Sequence, residues 1–269
     1  MNYRRCNPLY GYRWFSEGLK LFLSQPWPWL AMVGITLLFL LVLSVLPLFG
    51  VIGIYVLFPG IAAGFMLAAR AAMARQAMGF PHLVAGFKTA ARPLLAVGGQ
   101  TFLIFILAMF SILLGWREEF QRLLELMQSQ TPDKDVLVSA AQELTVPSLL
   151  ILALMLVLAV ATWFAPALVV FRQAEARAAM RLSFRACLAN FFPFLVFCLL
   201  LLLLDIALSF ILRLVLSGLN SLAGEQVANT AGMLLTFPIV CGFLAIIFGA
   251  AYVSYMDVFE RQANKTGIR

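Results

Sequence analysis

Residues 177–204 read RAAMRLSFRACLANFFPFLVFCLLLLLL, and the chain is organised around this stretch. Arg177, Arg181 and Arg185 recur every four residues, which puts them on one side of a helix. Met180, Phe184, Cys187, Leu188 and Phe191 form an apolar stripe beside them, and after Pro193 an almost unbroken apolar run begins. Physically this is a basic amphipathic helix on a membrane surface, a corner, and a helix entering lipid.

The composition agrees with lipid as the solvent. Of 269 residues, 63% are hydrophobic and 12% charged, against about 25% charged in an ordinary soluble domain. Mean hydropathy is +0.98. The net charge of +7 sits beside apolar runs, a pattern explained by topology rather than by nucleic acid. No nucleic-acid partner is expected. Cys6, Cys187, Cys198 and Cys241 form no CxxC pair, and none lies in a segment assigned to the outer side. Buried thiols are expected, with no disulfide framework, no metal and no cofactor. No cleavable signal peptide is evident before the first apolar run.

Taken in order, the chain alternates basic and apolar segments. A first amphipathic helix from Arg13 places Phe15, Leu19, Phe22 and Leu23 on one face and Arg13, Glu17, Lys20 and Ser24 on the other. Crossing roughly 30 Å of hydrocarbon takes about 20 residues at 1.5 Å each. Six runs qualify: Trp29–Leu48, Val51–Ala69, Pro93–Gly115, Pro147–Val170, Pro193–Leu216 and Ala231–Tyr255. Pro47 and Pro59 are expected to kink the first two. Leu83, Phe87 and Ala91 mark a second small amphipathic segment before Pro93.

Residues 116–146 form the one sizeable polar loop, read as a helical flap on the outer face. Phe120, Leu123, Leu124 and Met127 make a helical stripe there, with Glu118 and Arg122 paired at i,i+4. Thr131-Pro132-Asp133 reads as the start of a second helix carrying Val136, Leu137, Ala140 and Leu144. Of the 19 Lys and Arg, the loop holds Arg117, Arg122 and Lys134, Arg213 lies within a span, and the rest fall on the opposite side. That asymmetry places both termini in the cytoplasm.

Pro28, Pro93 and Pro193 open the odd-numbered spans. Phe58-Pro59, Phe164-Ala165-Pro166 and Phe237-Pro238 mark the even ones. The expected fold is therefore all-α: one integral membrane domain, residues 1–269, of six transmembrane helices arranged as three parallel αα-hairpin repeats. Each repeat opens with a short amphipathic cytoplasmic helix. They span about 13–75, 83–172 and 177–258, with 116–146 inserted in the second.

Gly11, Trp14, Gly18, Phe22, Pro26 and Trp29 resemble the N-terminal pattern of an uncharacterised family of six-span bacterial inner-membrane proteins. The resemblance implies a multi-pass protein of the bacterial inner membrane and lends no reaction. The hairpin layout is also similar to the membrane domain attached to some glycerophosphodiester phosphodiesterases, whose soluble catalytic domain has no room in this chain.

Within the spans, Asp205 is the most informative residue. A carboxylate at a span centre costs roughly 2.5–3.5 kcal/mol on insertion scales, so it is expected to face the bundle interior or water. Arg213 lies about 12 Å further along the axis. Together they form a candidate intramembrane polar site. Lys20, Lys88, Arg92, Arg177, Arg181 and Arg185 are candidate contacts for anionic headgroups, worth about 1 kcal/mol each near the surface. His82 reads as an ordinary surface residue. Glu118-Glu119 near Arg122 lacks the histidines and spacing of an intramembrane protease, and no nucleophile–base set is present. The expected role is a non-enzymatic membrane protein that organises lipids or other membrane proteins. The alternative is a small permease built around Asp205.

Overall fold

A proline cannot donate the backbone N–H of an interior helical residue, so it is best tolerated in a helix's first turn. The computed structural model obeys this at three places. Helical geometry is interrupted at Gln25 (φ −146°, ψ 64°), Ala90 (φ −153°, ψ 52°) and Asn190 (φ −115°, ψ 30°), each just ahead of Pro28, Pro93 and Pro193 respectively. The structure describes residues 2–46, 48–128 and 134–261, without the side chains of Lys134, Leu137 and Ala141. Pro47, the segment Thr131–Asp133 and the tail cations Lys265 and Arg269 lie outside the described residues.

The described elements are all helical. In order they are α1 (Tyr10–Ser24), α2 (Pro26–Ser44), α3 (Phe49–Met73), α4 (Pro81–Gly115), α5 (Arg117–Gln128) and α6 (Lys134–Glu143). They continue with α7 (Thr145–Thr162), α8 (Ala165–Arg172), α9 (Ala176–Ala189), α10 (Phe191–Ala223) and α11 (Glu225–Tyr255), which ends in a π-helical turn, Met256–Glu260. Six segments are long and apolar enough to cross a membrane: α2, α3, α4, α7 with α8, α10, and α11 with its terminal turn. The chain is a membrane protein of six candidate spans, as the hydropathy pattern predicts.

The second amphipathic segment is present as the first part of α4, set off from the span by the kink at Ala90. Two local departures from expectation have physical causes. The fourth span is divided between Thr162 and Ala165, since Pro166 near the start of α8 cannot donate back to the preceding turn. Ser183 of α9 fills that break: its hydroxyl donates to Val160 O at 2.8 Å and accepts from Phe164 N at 3.0 Å. Arg122 does not pair with Glu118 along α5. Its Nη1 donates to both carboxylate oxygens of Glu143 of α6, at 2.9 and 2.8 Å, joining the two loop helices.

The well-packed core sits at one end of the bundle. Trp14, Trp29, Phe65, Phe164, Phe197, Tyr255 and Phe259 are its largest fully buried side chains. Phe65 stacks between Trp29 (6.1 Å) and Phe248 (4.1 Å), and the Trp29 indole donates to Leu21 O at 3.1 Å. The other end is thinly packed. Leu124 and Met127 of α5 are exposed, as are Leu202, Leu203, Ile206, Phe210 and Leu214 of α10.

Helix α1 shows what the six-residue N-terminal pattern does. Its fully buried residues are Gly11, Trp14, Gly18 and Leu21; of the Phe15–Leu19–Phe22–Leu23 face that its amphipathicity suggests, Phe15 and Phe22 are half-buried against the core and Leu23 stays exposed. Gly11 abuts the backbone of Pro193 and Phe197, and Gly18 that of Ile246 and Ala250. Two helices thus cross α1 at contact distances that a β-carbon would prevent.

Candidate functional site

The packed end of the bundle gathers most of the charge. It is built from the N-terminal segment, the C-terminal ends of α3, α8 and α11, the start of α4, and α9. A strap formed by the first residues runs across it. Arg4 N donates to Val258 O at 2.8 Å, and Cys6 N to Asn190 Oδ1 at 2.7 Å. The Asn190 amide returns two bonds, to Arg4 O (3.0 Å) and Ala186 O (2.9 Å). Asn190 is fully buried, and these bonds offset its desolvation.

Beside the strap lies Asp257, 1% exposed. Trp14 Nε1 donates to its Oδ2 at 3.2 Å, and Arg13 Nε lies 3.5 Å from the same oxygen. Arg261 Nε sits 3.1 Å from Oδ1, close enough for charge pairing but without the alignment of a hydrogen bond. A buried carboxylate flanked by two guanidinium groups is a clamp between chain ends, because loss of either partner leaves a charge without compensation.

A second cluster lines a cavity of about 240 Å³ bounded by Arg70, Phe171, Tyr252, Tyr255, Met256 and Glu260. Arg172 pairs with Glu260 at 3.2 Å and donates to Phe259 O, and Tyr255 donates to Glu260 at 2.7 Å. Arg70 stacks over the Phe171 ring at 5.5 Å and has no ion pair among the described residues.

The predicted lipid contacts are all on the surface. Arg177, Arg181 and Arg185 are exposed along one side of α9, while Ala176, Ala179, Met180, Ser183, Ala186 and Cys187 are buried on the other. Of the apolar stripe expected there, Leu188 and Phe191 point outward. Lys88 and Arg92 are exposed on α4, and Lys20 is exposed and paired with Glu17 at 2.8 Å. His82 is half-buried, with Nδ1 3.1 Å from Gly79 O.

Asp205 and Arg213 are not part of this end. Both are exposed on α10, and neither has a partner among the described residues. Asp205 therefore does not face the interior of this chain's own bundle. The reason is that α10 packs mainly against α1 and α11, which leaves the flank carrying Asp205 exposed.

Asp257, Asn190, Ser183, Arg172 and Glu260 make the polar contacts of this end that the sequence alone does not reveal. Asp257 carried a signal: an acid just past a long apolar run, four residues before Arg261. Ending the last span at Tyr255 moved it into a tail.

Burial pushes the Cys6 thiol up to about 11, against smaller lowering by Arg4. Burial likewise pushes Cys187 up to about 12. Neither is a reactive thiolate near neutral pH.

No family model matches this chain. A protein of Burkholderia thailandensis named as a probable inner membrane protein is 28% identical over 248 residues, covering 89% of this chain and 90% of that protein. No solved structure matches.

Proposed function

We propose that this chain is a non-enzymatic inner-membrane protein whose basic end holds anionic lipid headgroups and organises lipids or other membrane proteins there. The observation that carries the reading is α9. Its buried face is made mostly of small residues and its exposed face presents Arg177, Arg181 and Arg185, none with a carboxylate partner among the described residues. Lys88 and Arg92 extend the unpaired charge along the start of α4. Cations at headgroup depth attract anionic lipid at about 1 kcal/mol each.

The same reading includes the orientation and the repeat. Both termini lie in the cytoplasm, and the name of the Burkholderia relative supports the inner membrane as the location. Three helical breaks ahead of Pro28, Pro93 and Pro193 support three hairpin units of common descent. The exposed setting of Asp205 favours this reading over a permease, whose substrate site would lie between helices.

The test is lipid retention. Protein extracted with native lipid into polymer discs should be enriched in phosphatidylglycerol and cardiolipin over phosphatidylethanolamine, relative to the bulk membrane. Arg177→Gln/Arg181→Gln/Arg185→Gln should reduce that enrichment by roughly tenfold or more, given about 1 kcal/mol per cation. Equal lipid composition around the native and triple-substituted chains would sink the proposal.

A further inference from the structure

We propose that the flank of α10 carrying Asp205, Ser209, Arg213 and Ser217 is the contact face of a symmetric dimer of this chain, with both copies crossing the membrane in the same sense. The four residues recur every fourth position within a candidate span, and all four are exposed. Each step advances about 6 Å along the axis and about 40° around it, so they form one continuous inclined ridge. Ridges of this spacing are the ones that interdigitate when two helices pack.

Among the described residues the ridge lacks partners. Thr101, Ser111, Thr162, Thr230 and Thr236 each donate back to their own helix at a carbonyl four residues earlier. Ser209 and Ser217 make no such bond, and among the described residues Asp205 and Arg213 have neither a hydrogen bond nor an ion pair. Hydrocarbon offers no donor or acceptor, so a carboxylate, a guanidinium and two hydroxyls on a lipid-facing flank call for a protein neighbour.

A second copy meets that need because the ridge is self-complementary. It carries an acceptor (Asp205), a donor (Arg213) and two hydroxyls (Ser209 and Ser217) that can do either. A two-fold axis along the membrane normal sets residues of equal depth side by side, so the Ser209 hydroxyls of the two copies meet and the Asp205 carboxylate of each is offered to the other's Ser209 one turn along, a contact made twice. The small serines allow the backbones to approach closely. The inference rests on α10 alone and is independent of the lipid reading.

The test uses the full chain with its four native cysteines replaced. Ser209→Cys should form a disulfide-linked dimer on oxidation in native membranes. Ala207→Cys, exposed at similar depth on the opposite side of α10, should form at least tenfold less. In parallel, mass measurement in lipid nanodiscs should find two copies of the native chain, and Asp205→Leu should lower the dimer fraction at least tenfold while leaving the monomer helical. A monomeric native chain, equal or reversed crosslinking of the two cysteines, unchanged dimerisation of Asp205→Leu, or a different protein in place of the second copy would each overturn the proposal.

Discussion

Trp14 Nε1 donates to Asp257 Oδ2 at 3.2 Å, joining the first helix to the last across 243 positions of sequence. With Arg13 and Arg261 on either side, this bond ties the chain's two ends into one packed unit. A hydrogen bond to a charged group contributes about 1.5–3 kcal/mol. Trp14→Phe keeps the ring contact with Phe194 (5.0 Å) and loses the donor. It should destabilise by that amount. Asp257→Ala should cost more, because it also leaves both guanidinium groups unpaired, and Asp257→Asn should fall between native and alanine. Melting of the detergent-solubilised variants checks the order, and an unaltered Asp257→Ala would refute the clamp.

Glycines make the second prediction. At Gly11 and Gly18 a β-carbon would meet the backbone of α10 and α11, at 2.7 Å from Ile246 O in the second case. Backbone cannot rotate away as a side chain can. Gly11→Ala and Gly18→Ala should each destabilise by about 1–3 kcal/mol, the usual cost of overpacking. Gly99, in α4, has nothing within 4 Å of the same position. There alanine should be neutral or stabilising by up to about 1 kcal/mol, from helix propensity alone. The contrast is read from melting temperatures measured in one detergent.

Thiol chemistry gives a third set of expectations. Cys6 and Cys187 hold their protons up to about 11 and about 12, against an ordinary 9.0. At pH 7.4 the folded protein should label at neither with maleimide, whereas the denatured chain labels at both. Between 9 and 12 the unfolded chain binds fewer protons than the folded one, so these thiols lower stability as pH rises through that window and have no effect below it. In a cysteine-free chain, introduced thiols report sidedness. With an impermeant maleimide on intact spheroplasts, Gln128→Cys should label and Ala178→Cys should not; the reverse pattern would invert the proposed orientation.

The six apolar runs, the basic stripe of α9 and the breaks before Pro28, Pro93 and Pro193 were legible in the sequence. Each follows from local chemistry: hydropathy over about 20 residues, four-residue periodicity, and a missing N–H. The face that α1 buries was not legible. Amphipathicity ranks residues by polarity, while the structure selected Gly11 and Gly18 for the room they leave. Arg122 was assigned to Glu118 by helical spacing, yet the neighbouring helix brought Glu143 closer.

By itself the sequence determined the solvent, the number of spans and which segments carry cations, because these depend on composition within one segment at a time. Tertiary structure alone decided that Asp257 is buried in a clamp and that Asp205 lies uncovered on α10. Both are lone acids in apolar surroundings, Asp205 within a span and Asp257 just past the end of one. What separates them is which helices arrive alongside: α1 brings Trp14 and Arg13 to the first, and the second has no partner among the described residues.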